Sequence, residues 1–136
     1  MAAWMAGYLT AHNRLTPQVF DFSAWQSPGV LVGLLAQYCA AHPDRIAENG
    51  AQDLIAYLAE DAIRDPAEVA MLEHDGSAVL LYVPVIAQVR AALSEIGYQG
   101  GSTDFELIAA LKAYQQDQGL DVTGLPDQST LARLLR

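Results

Sequence analysis

Cys39 and His42 come closest to a catalytic pair among the residues of this chain. They stand three positions apart in a predicted helix, a spacing at which a thiol and an imidazole on one face can meet. No third residue is placed to orient the imidazole, and Cys39 is the only cysteine. A small apolar side chain on the buried face, next to a histidine that ends the helix, explains the same pattern. We prefer this structural interpretation.

The three histidines do not form a metal-binding pattern. His12, His42 and His74 stand about thirty residues apart, and no two of them have the spacing of zinc ligands on a helix. Glu73 and Asp75 flank His74, but a solvated turn accounts for that cluster. We therefore expect no metal.

Other catalytic groups are also missing. Glu60 and Asp61 are neighbours, so on a helix they point apart and cannot act as an acid–base pair. Gly100-Gly101 follows a predicted helix and lacks the lysine of a phosphate-binding loop. The sequence predicts a protein that is not an enzyme and needs no cofactor.

Composition limits the partners. The 136 residues include 7 Lys plus Arg against 16 Asp plus Glu, for a formal net charge of −9. This balance argues against nucleic acid and against an anionic membrane surface, which both require a cationic footprint. Hydrophobic residues make up 52% of the chain, enough for a core, but no apolar run is long enough for membrane insertion.

The last third of the chain predicts three short helices joined by glycine-bearing turns. The first helix runs from Val85 to Ile96 and stops at Gly97. The second begins near Ser102–Asp104 and ends at Gly119. The third opens at Pro126 with Asp127 in its first turn. The predicted apolar face of the second helix is Phe105, Ile108, Leu111 and Tyr114.

These turns and helices carry a recognisable motif. Its order is Leu93, Gly97-Tyr98, Ala110-Leu111, Tyr114-Gln115, Gly119-Leu120, Thr123-Gly124, Thr130 and Leu134. This order resembles the peptidoglycan-binding domain of bacterial and phage cell-wall proteins. The aromatic residue before the glutamine is Tyr114 where the family usually has phenylalanine. The loop 99–104 is also several residues shorter than the glycine-rich loop of the family.

The resemblance implies a site in the groove between the helices. The expected surface contacts with peptidoglycan are Tyr98, Gln99, Asp104, Phe105, Gln115, Thr123, Asp127 and Thr130. Tyr98 is the strongest candidate, because an aromatic ring with a polar tip suits both sugar faces and peptide amides. Thr123, Asp127 and Thr130 also have a structural interpretation, as caps of the loop and the last helix.

The first half predicts further helices. The opening helix places Trp4, Met5, Tyr8 and Leu9 on one stripe, so we interpret the apolar N-terminus as folded and not as a signal peptide. A second helix runs from Ser27 to about His42, and a third from about Asn49 to Arg64. A short helix is expected to restart at Asp65–Glu68 and to end in the turn His74–Ser77.

The apolar segment from Ala78 to Val83 has two interpretations, a strand or a connector. The expected partner of such a strand is Val19–Phe22, so any sheet would be minimal.

The first half also has a weaker resemblance, carried by Gly7-Tyr8, Tyr38-Cys39 and His42-Pro43. These residues resemble small helical periplasmic proteins of the acid-stress chaperone type and of the Rap1a/Tai immunity type. In those families the cysteine usually forms a disulfide with a second cysteine, which this chain lacks.

The expected architecture is mostly α. An N-terminal helical domain (1–77) is joined by an apolar connector (78–84) to a C-terminal peptidoglycan-binding-like domain (85–136), and the two halves are expected to pack together. The expected function is that of a non-catalytic envelope protein, in the periplasm or cell envelope, that binds peptidoglycan. The alternative is a protein-interaction or immunity-like module that uses this fold to bind an envelope protein, such as an effector or a wall hydrolase.

Overall fold

Helices dominate the chain, as the sequence predicts. A computed structural model of the protein describes residues 1–135. Its elements are α1 (Ala2–Leu15), α2 (Pro28–Ala41), α3 (Ala47–Leu58), β1 (Val69–His74), β2 (Ser77–Tyr82), α4 (Val83–Glu95), α5 (Asp104–Asp117) and α6 (Gln128–Leu134). Over the described residues the only sheet is the antiparallel pair β1–β2. The prediction of a mostly α protein with a minimal β element is therefore confirmed.

The chain divides into two compact units. Unit 1 is Met1–Pro66 and contains α1 to α3, and unit 2 is Ala67–Arg136 and contains the β-hairpin and α4 to α6. The segment 78–84, expected to be a connector, forms β2 and the start of α4.

Unit 1 is a small helical bundle in which α2 contacts both α1 and α3. Its core side chains are Met5, Leu9, Val19, Phe22, Leu31, Leu35, Ala51, Leu54 and Leu58. A Cβ atom at Gly50 of α3 would lie 2.5 Å from Cδ1 of Tyr38 in α2, so this glycine allows α2 and α3 to approach closely. Cys39 is partly buried and packs against the core, in agreement with its structural interpretation.

Two aromatic features of unit 1 differ in exposure. On α1, the rings of Trp4 and Tyr8 stack with centroids 5.2 Å apart, and Trp4 remains 45% exposed. Trp25, in the segment between α1 and α2, is only 5% exposed. Both tryptophans of the chain therefore belong to unit 1.

The prediction that the third helix reaches Arg64 is wrong, because α3 ends at Leu58. Ile63 instead forms an isolated β-bridge with Asp21, through N–H···O bonds of 2.8 and 3.1 Å. The extended segment Val19–Phe22 therefore pairs within unit 1 and does not pair with residues 78–83. Backbone pairing overrides helix propensity at Ile63, where a β-branched residue suits an extended chain.

The expected short helix after Asp65 is also wrong, because Val69–His74 is a strand. It pairs with β2 in the register Val69↔Tyr82, Met71↔Leu80 and His74↔Ser77. Asp75 and Gly76 have φ of +48° and +78°, so both adopt the positive values that a two-residue type I′ hairpin turn requires. Asp-Gly between two apolar runs was the signal for a hairpin, and it outweighs the helix-start pattern at residues 65–68.

Unit 2 is built around α4, which contacts β2, α5 and α6. The helix begins at Val83, two residues earlier than predicted, with Pro84 in its first turn, where a missing N–H costs nothing. Its buried side chains are Val85, Ile86, Val89 and Leu93.

The predicted apolar face of α5 is wrong at its start. Phe105 is 82% exposed, whereas Leu107 is fully buried. The buried stripe follows Leu107, Ala110, Leu111 and Tyr114, the spacing of one helix face. The sequence offered two overlapping stripes, and the one containing Leu107 packs in the core.

Candidate functional site

Tyr98 is positioned by the end of α4. The N–H of Gly97 donates to the carbonyl of Ser94 (3.2 Å), and the N–H of Tyr98 donates to that of Leu93 (2.8 Å). With Gly97 at φ +94°, this is a Schellman motif, as the glycine in the sequence indicates. The motif fixes the direction in which the chain leaves the helix, and therefore the place of Tyr98.

The short loop after Tyr98 is held by Arg90. Its Nη1 lies 2.7 Å from the carbonyl oxygen of Gly100 and 3.0 Å from those of Gly101 and Thr103, and its Nη2 lies 3.2 Å from Oδ1 of Asp104. The guanidinium fork suits such a set of acceptors. Sequence reasoning missed Arg90, since no local pattern indicates contacts ten to fourteen residues away. Asp104 therefore forms an ion pair with Arg90.

The loop ends in a capping box at the start of α5. The carboxylate of Glu106 accepts hydrogen bonds from the N–H groups of Ser102 and Thr103, each at 2.9 Å, and the N–H of Glu106 donates to the hydroxyl of Thr103 at 3.2 Å. The backbone bonds from Thr103 and Ser102, with that from the Thr103 hydroxyl, lower the pKa of Glu106. These contacts hold the loop against the start of α5.

Gln115 organises the loop between α5 and α6. It is fully buried, and its Oε1 accepts the N–H of Gly124 at 2.8 Å. Its Nε2 lies 2.9 Å from the carbonyl oxygen of Leu125 and from Oγ1 of Thr130, and 3.1 Å from Oγ1 of Thr123. Thr130 is also fully buried. The expectation that Gln115 and Thr130 lie on the surface is therefore wrong, because both satisfy their polar groups inside the unit.

Asp127 caps α6 and is its N-cap residue, so the helix starts after Asp127 and not at Pro126. Its Oδ1 accepts from the Ser129 hydroxyl (2.6 Å) and from the N–H (2.9 Å) and hydroxyl (2.8 Å) of Thr130, and its Oδ2 from the Thr123 hydroxyl (2.9 Å). Burial raises the pKa of Asp127, but the bonds from Ser129, Thr130 and Thr123 together outweigh it and lower the pKa below its ordinary value. The structural interpretation of these residues as caps thus has direct support.

Tyr98 lies over the C-terminal end of α5. Its hydroxyl donates to Oδ2 of Asp117 at 2.6 Å, and its ring meets that of Tyr114 edge to face with centroids 5.6 Å apart. The hydrogen bond to Asp117 raises the pKa of the Tyr98 phenol, because it favours the protonated form. Close by, Nε of Arg133 donates to Oε1 of Gln118 at 3.2 Å.

The candidate residues therefore separate into two groups along α5. Tyr98, Thr123 and Asp127 belong to the C-terminal end of the helix, whereas Asp104 and Phe105 lie at its start. Phe105 and Asp117 are twelve positions apart, which corresponds to about 18 Å along the helix. Gln99 is exposed in the loop between them.

Three further polar residues are grouped near this end of α5: Asp117 and Gln118 at the end of the helix, and Arg133 of α6, which donates to Gln118. We call Tyr98 and these three residues the Tyr98 patch. Sequence reasoning missed the added residues because each is an ordinary helix-surface side chain. Only the folded arrangement brings Asp117 to the hydroxyl of Tyr98 and Arg133 to the amide of Gln118.

His42 contacts Tyr38. The ring of His42 stacks on the ring of Tyr38 with centroids 4.4 Å apart. Nδ1 of His42 lies 3.0 Å from the backbone carbonyl oxygen of Tyr38. Within residues 1–135, no group of three or more His, Cys, Asp or Glu side chains is gathered to hold a metal. None of the described helices is long and apolar enough to cross a bilayer.

The C-terminal part of the chain is similar to a known protein family. Residues 84–134 match the family model of the peptidoglycan-binding domain. The C-terminal part of the chain is therefore similar to this domain. The match covers α4, α5, α6 and their two loops, and it begins directly after the hairpin. No curated protein and no solved structure gives a significant match to the chain.

Proposed function

We propose that this protein binds peptidoglycan without acting on it, and that it works in the cell envelope, on the periplasmic side where peptidoglycan lies. The observation that carries the proposal is the family match over all three helices of unit 2. The two loops that the match includes are held by internal hydrogen bonds, through Arg90 in one and Gln115 in the other. A rigid, pre-ordered surface binds with a smaller entropy cost.

The Tyr98 patch is the proposed contact surface. Tyr98 is half-buried and presents an aromatic ring beside the exposed side chains of Asp117, Gln118 and Arg133. Peptidoglycan offers sugar faces, hydroxyls, amides and stem-peptide carboxylates. An aromatic ring packs on the sugar faces, a carboxylate and an amide hydrogen-bond to hydroxyls and amides, and Arg133 pairs with a carboxylate. Thr123 and Asp127, in the adjoining loop, form the edge of this surface.

The net charge agrees with such a ligand. A formal charge of −9 disfavours polyanions, but binding through sugar faces and hydrogen bonds requires no cationic surface. The single guanidinium of Arg133 supplies a local positive charge within an acidic unit.

The test is co-sedimentation of the full chain with purified sacculi at neutral pH. We compare Tyr98→Ala with Phe105→Ala, which removes an aromatic ring of similar size from the other end of α5. We expect Tyr98→Ala to weaken binding about tenfold and Phe105→Ala to change it less than about twofold, since contacts at the centre of a site dominate binding. Circular dichroism verifies that both variants remain folded.

Two results would contradict this proposal at different levels. A wild-type chain that stays in the supernatant would refute peptidoglycan binding itself. Binding that Phe105→Ala weakens and Tyr98→Ala does not would move the contact surface to the start of α5. Tyr98→Phe serves as a finer control, because it keeps the ring and removes only the hydroxyl bond to Asp117.

A further inference from the structure

The β1–β2 hairpin packs within unit 2, although it precedes the segment that matches the family. The match begins at residue 84, after the last residue of β2. On the inner face of the hairpin, Leu72 and Leu81 are only 3% and 5% exposed, and β2 contacts α4. The hairpin is thus packed within unit 2 but lies outside the segment that matches the family.

The outer face of the hairpin is apolar and open. Val69, Met71 and Leu80 are 55%, 54% and 66% exposed. Met71 and Leu80 are directly paired across the two strands, so their side chains share one face. Three large apolar side chains on a two-stranded sheet form a contiguous exposed patch, which marks an interaction surface.

The edge of β1 adds a backbone template to this patch. The turn has two residues, so the flanking pair His74↔Ser77 exchanges hydrogen bonds, and every second pair along the ladder does the same. Val69, Met71 and Glu73 occupy the alternate positions, so their N–H and C=O groups point away from β2. Among residues 1–135, no strand lies on that side of β1. An edge of this kind accepts an added strand.

Charge identifies the occupant. Glu68 and Glu73 are exposed near the two ends of β1, and Asp75 is exposed in the turn. No lysine or arginine occurs from Asp65 to Val89. A second copy of this chain would bring the same acidic residues to the contact, which disfavours self-pairing. A segment with lysine or arginine on both sides of an apolar centre complements the edge.

We propose that β1 is a docking edge for an extended segment of another protein, with an apolar centre and basic ends, which adds to the sheet as a third strand. Its backbone pairs with Val69, Met71 and Glu73. Its apolar side chains extend the exposed face next to Met71, and its basic ends approach Glu68 and Asp75. This interaction does not require the proposed binding of peptidoglycan.

The test uses a synthetic fluorescent peptide with a Val-Thr-Val-Thr-Val centre and lysines at both ends, titrated with the full chain and followed by fluorescence anisotropy. Two matched peptides carry glutamates at the ends or N-methyl groups on the valines. We expect the lysine peptide to bind at least about tenfold more tightly than either control, because the first lacks complementary charge and the second cannot form the edge hydrogen bonds.

Variants of the protein locate the contact. Met71→Lys places a positive charge, of the same sign as the peptide's lysines, on an exposed side chain at the centre of the edge. We expect it to weaken binding of the lysine peptide at least about tenfold. Phe105→Lys makes the same change on an exposed side chain of α5 and leaves binding unchanged. Tyr98→Ala also leaves it unchanged, so failure of this proposal is distinguishable from failure of peptidoglycan binding.

Several outcomes would overturn the proposal. Absence of binding, equal binding of the lysine and glutamate peptides, or binding that Met71→Lys does not affect would each refute it. A concentration-dependent dimer in analytical ultracentrifugation that Met71→Lys abolishes would show that a second copy of the chain occupies this edge instead.

Discussion

Gln115 shows how one side chain can fix a loop that is otherwise rich in small and polar residues. The side-chain amide accepts a hydrogen bond from the N–H of Gly124 and donates one to the carbonyl oxygen of Leu125. It also donates to the hydroxyl of Thr130 in α6. A buried amide is favourable only when its donors and acceptors are satisfied. Gln115 therefore has a structural role in this loop, independent of any ligand.

Replacing Gln115 by leucine is expected to destabilise the protein by about 2–3 kcal/mol, because the change leaves buried backbone and hydroxyl groups without their partner. The matched control is Gln116→Leu, at an exposed neighbouring position in α5, with an expected effect below about 0.5 kcal/mol. Urea unfolding followed by ellipticity measures both free energies of unfolding. Equal losses would show that the buried amide adds no stability.

Asp127 makes stability depend on pH. Its folded-state pKa is lowered, so the ionised form stabilises the fold. This contribution is complete above the unfolded pKa of about 3.9 and is lost as the pH falls through the folded pKa. We expect Asp127→Asn to cost about 1 kcal/mol at pH near 7, because the amide nitrogen cannot accept the bonds that one carboxylate oxygen accepts, and we expect the difference from wild type to shrink below pH of about 4.

Urea titrations across that pH range at low protein concentration test the prediction. The control is Asp121→Asn, at an exposed position in the same loop. A difference between wild type and Asp127→Asn that stays constant down to pH of about 3 would contradict the role of the carboxylate.

At the scale of single elements, the hairpin is where sequence reasoning failed and where the physical reason is clearest. Residues 65–68 have the composition of a helix start. Asp75 and Gly76, however, both adopt positive φ and form a tight turn between two apolar strands. The helix-start pattern and the turn pattern predict different structures for this segment. Burial of Leu72 and Leu81 in the core favours the hairpin. The helices α2, α4 and α5 were predictable because serine, glycine and threonine mark their ends with specific hydrogen bonds.

The two faces of β2 give a matched pair of substitutions. Leu81 is buried and Leu80, its neighbour, is 66% exposed. We expect Leu81→Ala to lower the free energy of unfolding by about 2–4 kcal/mol and Leu80→Ala by less than about 0.5 kcal/mol, since only the first leaves a cavity. Thermal and urea unfolding measure both. A large loss for Leu80→Ala would mean that the outer face is already covered within the protein.

At the scale of the whole molecule, the acidic balance governs solubility. The formal net charge is −9 at neutral pH, and the isoelectric point of the sequence is about 4.4. The chain should remain in the supernatant at pH near 7 and self-associate as the pH approaches 4.4, where repulsion between molecules vanishes. Light scattering against pH, without sacculi, measures this. Scattering that is independent of pH would show that charge does not keep the molecules apart.

The candidate site was only partly predictable from the sequence, for a reason that applies to the whole chain. Tyr98 was identified because a glycine and an aromatic residue stand together at a helix end. Arg90, Asp117 and Arg133 were not, because their partners are ten or more residues away and no local pattern records such contacts. Gln115 and Thr130 were predicted as surface residues because polar type alone does not distinguish a buried, satisfied group from an exposed one.

The positions of the two tryptophans provide an internal reporter. Trp4 and Trp25 both lie in unit 1, and unit 2 contains none. Intrinsic tryptophan fluorescence during denaturation therefore follows unit 1 alone, whereas far-ultraviolet ellipticity follows the helices of both units. A single urea titration read by both signals separates the two folding equilibria without a label or a truncated chain, and coincident curves would identify one cooperative transition.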